Sequence, residues 1–311
     1  MSWRSNLCVS AMLLMGLACG PSDPKGKKQS EKEVSKKPIK VVMPVSDTGK
    51  SSPRLICLKE PKLLFTLQGH TDSVISVDWS PDSKQIASGG DKTMNVWDAL
   101  NGQLKGRVQG KTHVALDATW SPDRKRLASG SWDRTVKVVD STSGNLVLTL
   151  KGHTKDVLSV DWSPDGKRLA SSSFDKTVKV WDAASGEVLH TLQGHTNFVT
   201  SVAWSPDSGR LASGSLDKTV KVWEAASGRL MRTLQGHTDE VWSVTWSPDG
   251  KRLASGSSDK TVKMWETGSG RLLHTLQGHT SFIHGVAWSP DGKRLASGSD
   301  DKTVKVWAVA E

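Results

Sequence analysis

Residues 235–276 read QGHTDEVWSVTWSPDGKRLASGSSDKTVKMWETGSGRLLHTL, and this stretch decides the fold. It holds four short segments rich in β-branched, aromatic and aliphatic residues: VWSVTW, RLASGS, TVKMW and RLLHTL. The polar turns SPDG, SSDK and TGSG separate them. Proline fixes the φ angle at one position of such a turn, and aspartate, serine and glycine readily adopt the backbone angles of the other positions. The stretch therefore predicts four antiparallel strands that form one small sheet.

The same unit recurs along most of the chain. SPD turns begin at Ser80, Ser121, Ser163, Ser205, Ser247 and Ser289, a spacing of 41 residues and then of 42. Aromatic usage agrees with a copied unit, because the chain has 14 Trp but no Tyr. Residues 62–311 therefore hold six copies of a repeat of about 42 residues.

Two dipeptides mark the start and the end of most units. Gly-His pairs stand at 69–70, 152–153, 194–195, 236–237 and 278–279, and the closing Trp positions followed by Asp, Glu or Ala are 97, 181, 223, 265 and 307. At this period the pattern resembles the WD-repeat family. The resemblance implies an all-β fold, a β-propeller of six four-stranded blades.

The resemblance also implies how the termini meet. A first strand at Leu63–Leu67 would pair with the three strands of the last unit, which completes a blade and removes two exposed edges. Seven blades are the alternative, since residues 39–45 and 54–58 resemble degenerate strands. The second unit departs from the pattern, with Lys111 at the His position and Val139 at the Trp position. We expect its blade to lack part of the hydrogen-bonded lock and to be the loosest.

Each regular unit carries His, Ser, Asp and Trp at fixed spacing. The sets are His153, Ser171, Asp175 and Trp181; His195, Ser213, Asp217 and Trp223; His237, Ser255, Asp259 and Trp265; and His279, Ser297, Asp301 and Trp307. Ser, His and Asp together suggest a hydrolase, but a catalytic triad occurs once and these sets recur. No nucleophile elbow precedes a helix either. The resemblance implies structural tetrads, so we expect no catalytic residue, no enzyme activity, no cofactor and no metal.

Differences between the copies point to a binding surface. They concentrate three and five residues after the His position and just before the turn Asp, at loops that the resemblance places on one face, the top. The candidate partner-binding residues there are Trp132, Phe174, Phe198, Leu216, Trp242, Phe282 and His284. Aromatic side chains are enriched at binding hot spots. The alternative is that they pack between blades. The prediction is a non-catalytic scaffold that binds an unidentified protein or peptide, as a monomeric propeller.

Three other functions stay open on the sequence. A glycan- or peptidoglycan-binding propeller would use the same aromatic residues beside Glu240, Asp300 and His284. An uncharacterised propeller enzyme would need a singular titratable cluster, for which those three are the nearest candidates. Binding to DNA or anionic lipid would use the basic charge, but the net charge of +10 is uneven. Residues 62–311 hold 31 basic and 27 acidic side chains, so nucleic acid is an unfavoured partner.

The N-terminus resembles an export signal. Residues 1–18 combine Arg4 with an apolar stretch from Leu7 to Ala18 that is too short to span a membrane. Met15 to Cys19 resembles a bacterial lipobox, apart from Gly16, and predicts lipidation at Cys19; ordinary cleavage after Ala18 is the alternative. Residues 19–61 are predicted to be a polar tether. The expected location is the bacterial cell envelope, by an outer-membrane lipid anchor, with a secreted or periplasmic soluble protein as the alternative.

Overall fold

The computed structural model describes residues 60–90, 93–109 and 118–309, and for residues 90, 93, 94, 108 and 109 only the backbone. These ranges contain 24 strands. In chain order they are β1 Lys62–Gln68, β2 Val74–Trp79, β3 Gln85–Gly90, β4 Thr93–Asp98, β5 Leu104–Gln109, β6 Ala118–Trp120, β7 Arg126–Gly130, β8 Thr135–Asp140, β9 Leu146–Lys151, β10 Val157–Trp162, β11 Arg168–Ser173, β12 Val178–Asp182, β13 Val188–Leu192, β14 Val199–Trp204, β15 Arg210–Ser215, β16 Val220–Glu224, β17 Leu230–Leu234, β18 Val241–Trp246, β19 Arg252–Ser257, β20 Thr261–Glu266, β21 Leu272–Gln277, β22 Ile283–Trp288, β23 Arg294–Ser299 and β24 Thr303–Ala308. No helix in this part of the chain is long and apolar enough to cross a membrane.

The strands form six four-stranded antiparallel sheets, so the prediction of six blades is confirmed. Blades 1 to 5 each consist of four consecutive strands, from β2–β5 to β18–β21. Blade 6 has the order β1-β24-β23-β22, with Leu63 opposite Trp307 and Gln68 opposite Thr303. The predicted pairing of the first strand with the last unit is therefore present. The candidate strands at 39–45 and 54–58, like Cys19 and the rest of the N-terminal segment, lie outside the described residues.

The SPD turn shows why each first strand reverses where it does. In blade 3, Ser163 Oγ donates to Asp165 Oδ1 at 2.5 Å and accepts from the backbone N–H of Arg168 at 2.9 Å. The backbone N–H of Gly166, which has φ of 71°, donates to Ser163 O at 2.8 Å. A serine, a proline and an aspartate at these positions satisfy the turn locally, which accounts for the copied SPD.

The glycine of each Gly-His pair lies close to the tryptophan of the Trp-Asp pair in the same unit, as blade 5 shows. Gly236 has φ of +154°, and a Cβ added there would stand 3.1 Å from Cη2 of Trp265. The tryptophan of the third strand thus packs against the glycine that begins the same unit. A side chain at Gly236 would meet both steric crowding and an unfavourable backbone conformation.

The hydrophobic core lies between the blades. Five clusters join neighbouring sheets, and each holds the tryptophan that ends one innermost strand, as Trp204 does between blades 3 and 4. Burial decreases outwards, from the fully buried β14 to the mostly exposed β17. Neighbouring strands of a blade run in opposite directions. The loops before the innermost strands and the turns before the third strands therefore lie on the same face of the propeller, which we call the top. The SPD turns and the turns after the Trp-Asp position share the bottom face.

Candidate functional site

The blade 4 tetrad is a chain of four hydrogen-bonded side chains. Trp223 Nε1 donates to Ser213 Oγ at 2.9 Å, and Ser213 Oγ lies 2.8 Å from His195 Nε2. His195 Nδ1 lies 2.7 Å from Asp217 Oδ2. The serine oxygen thus contacts both the indole and the imidazole. A carboxylate can only accept, so the histidine donates to it from Nδ1.

The aspartate of this tetrad is held in its charged form. Burial would raise the pKa of Asp217, but hydrogen bonds from His195 and Thr219 outweigh it and leave the pKa well below its usual value. A second hydrogen bond to Oδ2 comes from the backbone N–H of Thr196 at 3.0 Å. The carboxylate therefore connects the top loop before β14 to the turn between β15 and β16.

The same geometry occurs in blades 3, 5 and 6. The histidine-to-serine distances there are 2.7–2.8 Å, each histidine-to-aspartate distance is 2.7 Å, and the tryptophan-to-serine distances are 2.8–3.0 Å. These distances match those of a catalytic Ser-His-Asp triad. However, all four tetrad serines are completely buried, and each already accepts from a tryptophan. A substrate carbonyl would have no access to such an oxygen, so the geometry supports the structural interpretation.

Blades 1 and 2 carry less of this arrangement. In blade 1, Ser88 Oγ contacts both His70 Nε2 and Trp97 Nε1 at 2.7 Å, and Asp91 lies outside the described residues. In blade 2, Lys111 also lies outside them, and the carboxylate of Asp133 binds Lys137 in addition to Thr135, the equivalent of Thr177 in blade 3. Side-chain exposure reflects the change, because Asp133 is 47% exposed whereas Asp175 is 7% exposed. The described part of blade 2 thus lacks the tetrad that blades 3 to 6 use.

The candidate binding residues of the top face fall into two groups. Ile75, Leu216 and Trp242 form a buried cluster, which we call the central plug. The partly buried Phe198 packs against the plug. Ile75 belongs to blade 1 and Leu216 to blade 4, and these blades are three positions apart in the order of six. The cluster that contains both residues therefore lies at the centre of the ring. The sequence reasoning placed Leu216 and Trp242 in the contact surface, whereas the structure buries both.

Polar contacts hold Trp242 in the plug. Its Nε1 donates to Ser258 Oγ at 2.7 Å, and its ring lies 5.4 Å, centroid to centroid, from that of His284. His284 Nε2 in turn lies 2.8 Å from Asp300 Oδ1. Burial would raise the pKa of Asp300, but the hydrogen bond from His284 outweighs it and lowers that pKa.

The remaining aromatic candidates surround the plug. Phe174 and Phe198 are partly exposed and stack with ring centroids 4.5 Å apart, and the ammonium of Lys155 lies 5.5 Å from the Phe198 ring. Trp132 is 48% exposed and Phe282 is 42% exposed. Lys155 was missed as a candidate. It lies two residues after the His position, where the copies also differ, so comparison of the units one position earlier would have found it.

The titratable candidates for the rival functions are only partly brought together. His284 and Asp300 are in contact, and Asp300 also interacts with the hydroxyl of Ser73. The carboxylate therefore stands between serine and histidine, whereas a hydrolase needs the histidine in the middle. Burial and then the charge of Asp239 raise the pKa of Glu240. No group of three or more His, Cys, Asp or Glu among the described residues could hold a metal ion.

Comparisons with known proteins agree with this architecture. A family model described as "WDR19 first beta-propeller" matches residues 158–310, and one described as "WD domain, G-beta repeat" matches residues 61–98 and 102–140. Protein HIRA of Oryza sativa subsp. japonica is 45% identical over 42 residues, which is 13% of this chain and 4% of that protein. Protein HIRA of Zea mays is 43% identical over 42 residues, with the same coverage. The chain therefore spans a small fraction of these relatives, about one repeat.

Two independent matches thus cover both halves of the repeat region that the structure resolves into six sheets. The hydrogen-bonded His, Ser, Asp and Trp side chains explain why the units within residues 158–310 share their spacing. The chain carries WD40 repeats folded as a six-bladed β-propeller.

Proposed function

We propose that this protein is a non-catalytic interaction scaffold that binds a protein or peptide partner through the top face of its propeller. WD40 propeller domains generally mediate protein–protein interaction. One observation carries the proposal for this chain. Exposed or half-exposed aromatic side chains, Trp132, Phe174, Phe198 and Phe282, stand on the same face around a central plug. Apolar patches of this kind usually mark contact sites.

The surroundings of the aromatic residues favour a peptide with apolar and charged side chains. Lys155 already lies over Phe198, while Asp300 and Glu240 bring negative charge to the other side of the plug. Large rings supply buried area at low entropy cost, and the charged groups would orient the ligand. Because the plug residues are buried, they would support this surface from below and make few direct contacts.

The experiment first identifies a partner by affinity capture with the full chain and then measures its affinity for variants. Phe198→Ala and Phe282→Ala are each expected to weaken binding about tenfold or more, since hot-spot truncation removes at least 1–2 kcal/mol. Leu189→Ala is the matched control, because Leu189 is an exposed apolar residue on the outermost strand of blade 3. Equal affinities for the wild type and both phenylalanine variants would refute binding through the top face.

We also propose that the propeller is tethered in a bacterial cell envelope by a lipid on Cys19. The support is the sequence of residues 1–18, with Arg4, an apolar stretch and the lipobox-like Met15 to Cys19. Intact-mass measurement on the membrane fraction is expected to show cleavage before Cys19 and the added mass of acyl chains. Cys19→Ala would release the protein from that fraction, and an unmodified Cys19 in the mature wild type would refute the anchor.

A further inference from the structure

The chain enters the propeller at the bottom rim of blade 6. Lys62, the first residue of β1, stands opposite Ala308 at the bottom end of β24. Residues 19–61, which precede β1, hold ten Lys or Arg and five Asp or Glu. A basic segment therefore joins the propeller on the face away from the aromatic candidates of the top.

One bottom loop beside this entry point carries a large apolar side chain. Leu100, in the loop between β4 and β5 of blade 1, is 84% exposed. The same loop position holds Thr142, Ala184, Ala226 and Gly268 in blades 2 to 5. The exposed leucine is therefore a feature of blade 1 and not of the repeat.

The loop that carries Leu100 lies against blade 6. A Cβ added at Gly102 would stand 3.2 Å from Cδ1 of Phe65 in β1. The carbonyl of Ala99 accepts a hydrogen bond from Arg294 of blade 6, and the backbone N–H of the exposed leucine donates to the carboxylate of its own Trp-Asp pair at 2.8 Å. These contacts fix the loop beside β1, with the leucine side chain directed to solvent.

Further exposed leucines lie on both sides of this contact. On blade 1, Leu104 follows the loop and begins β5; on blade 6, Leu63 and Leu64 directly precede Phe65 in β1. Both strands begin at the bottom face, and one core cluster joins the two blades. We call Leu63, Leu64, Leu100 and Leu104 the entry patch. Several exposed apolar side chains in one place usually mark a contact site for a protein or a membrane.

Exposed lysines stand around the entry patch. Lys62 begins β1, and Lys84 and Lys293 belong to the SPD turns of blades 1 and 6. The carboxylates of the same turns and loop are already engaged. Asp98 pairs with Lys105 at 2.8 Å, and each SPD aspartate accepts from the serine of its own turn. The charge offered to a ligand at this rim is therefore positive.

We propose that the entry patch binds the surface of an anionic phospholipid bilayer, with its leucines among the acyl chains next to the headgroups and its lysines on the phosphates. Every outermost strand but β9 and β13 begins, as those two also do, with an exposed apolar side chain, so a protein partner would have no reason to prefer this rim. Only this rim adds Leu100 and the end of a basic segment. The inference rests on the proposed envelope tether, and it directs the top face away from the membrane.

The test places the photoreactive residue benzoylphenylalanine at position 104 of the full chain or, as a matched control, at position 230. Leu230 begins the outermost strand of blade 4 as Leu104 begins that of blade 1, and the two are 39% and 45% exposed. Each protein is irradiated with vesicles of phosphatidylcholine and phosphatidylglycerol. Mass spectrometry is expected to find lipid adducts mainly at position 104. Equal labelling at both positions, or none at 104, would overturn the proposal.

Substitutions measure what the entry patch adds to binding. Leu100→Thr gives the loop the residue of blade 2, and Leu104→Asp places a charge in the patch. Each is expected to weaken partition of the full chain into the same vesicles about tenfold, because one leucine leaves the lipid. Leu230→Asp is the control and should leave partition unchanged. Residues 1–61 are common to all these proteins, so their own attraction to lipid cancels in the ratios; equal partition of all variants and the wild type would contradict the patch.

Failure of the tether and failure of the patch are distinguishable. Lipid adducts at position 104 together with an unmodified Cys19 would support the patch and refute the anchor. A lipidated Cys19 without adducts at position 104 would refute the patch and leave the anchor in place.

Discussion

Each tetrad serine joins a tryptophan to a histidine. In blade 4, Ser213 Oγ accepts from the indole of Trp223 and contacts His195 Nε2, and His195 Nδ1 donates to Asp217. A buried chain of this kind is fully satisfied, and removal of one member leaves the others without partners. The tetrad residues therefore matter for stability through their neighbours.

Asp217→Ala is expected to lower the free energy of unfolding by about 2–4 kcal/mol, since it leaves the buried imidazole of His195 unpaired. The midpoint of urea denaturation measures this change. Asp133→Ala is the matched control, because Asp133 occupies the same turn position in blade 2 but is largely exposed, and its ion pair there is worth less than about 1 kcal/mol. Equal midpoint shifts for the two variants would contradict the structural role.

His70 is expected to make blade 1 sensitive to acid. Burial, and then the charge of Arg107, lowers the pKa of His70 to about 4. Between about pH 4, the pKa of His70 in the folded chain, and about pH 6.5, the ordinary pKa of histidine, the unfolded chain binds a proton that the folded chain does not. Stability therefore falls as the pH falls through this window.

Thermal melts of the wild type and His70→Gln from pH 7 to pH 4 measure this dependence. The variant is expected to lose less stability over the window than the wild type, because glutamine does not titrate. Parallel curves for the two proteins would show that His70 is not the group responsible.

Blade 2 is the element that departs most from the repeat. Val139 replaces the tryptophan that packs on the Gly-His glycine in other blades, and Asp133 binds Lys137 instead of a histidine. Loss of the buried tryptophan and of the histidine–aspartate contact lowers the free energy needed for local opening.

Hydrogen exchange is expected to show this difference directly. Amides of β7 and β8 should exchange faster than those of β15 and β16, the matching strands of blade 4, because Lys111 and Val139 replace the histidine and the tryptophan of the tetrad in blade 2. Mass spectrometry of peptides from both regions measures the rates under one condition. Equal protection of the two pairs of strands would mean that the tetrad does not limit local opening.

The joining of the two ends of the repeat region is a property of the whole molecule. Strand β1 supplies the outer edge of blade 6, and Leu67 is buried in the cluster between blades 6 and 1. Arg294 and Trp79 bond across the same seam, with Arg294 Nη2 donating to Ser83 O and Trp79 Nε1 to Ala287 O. Residues more than 200 positions apart thus hold these blades together.

Deletion of residues 1–68 is expected to leave β24 as an unpaired edge and to cause association through it. Light scattering after gel filtration should show dimers or larger species and an earlier thermal transition. Deletion of residues 1–59 is the control, since it retains β1 and should stay at the mass of the full repeat region. A monomeric 1–68 deletion with an unchanged melting temperature would contradict this account of closure.

Repetition made the blades predictable, because turns and strands of one unit depend on neighbouring residues. The SPD turn satisfies itself through Ser163 and Asp165, and the tetrad spacing recurs whenever the unit does. The top face was less predictable. Side-chain variation between the copies identified which positions lie on this face, but it did not show how deeply each side chain is buried. Trp242 and Trp132 therefore looked alike in the sequence, although Trp242 is buried and Trp132 is exposed.

The sequence alone determined the blade, the number of copies and the departure of the second unit, because periodicity and local turn chemistry encode them. Only the tertiary structure showed that Ile75 and Leu216 belong to one buried cluster at the centre of the ring. It also showed that the arginine that begins the second strand of blades 2 to 6 covers a tryptophan of the adjacent blade. These contacts join residues from different copies, and their existence depends on how the blades pack, which no repeat unit specifies by itself.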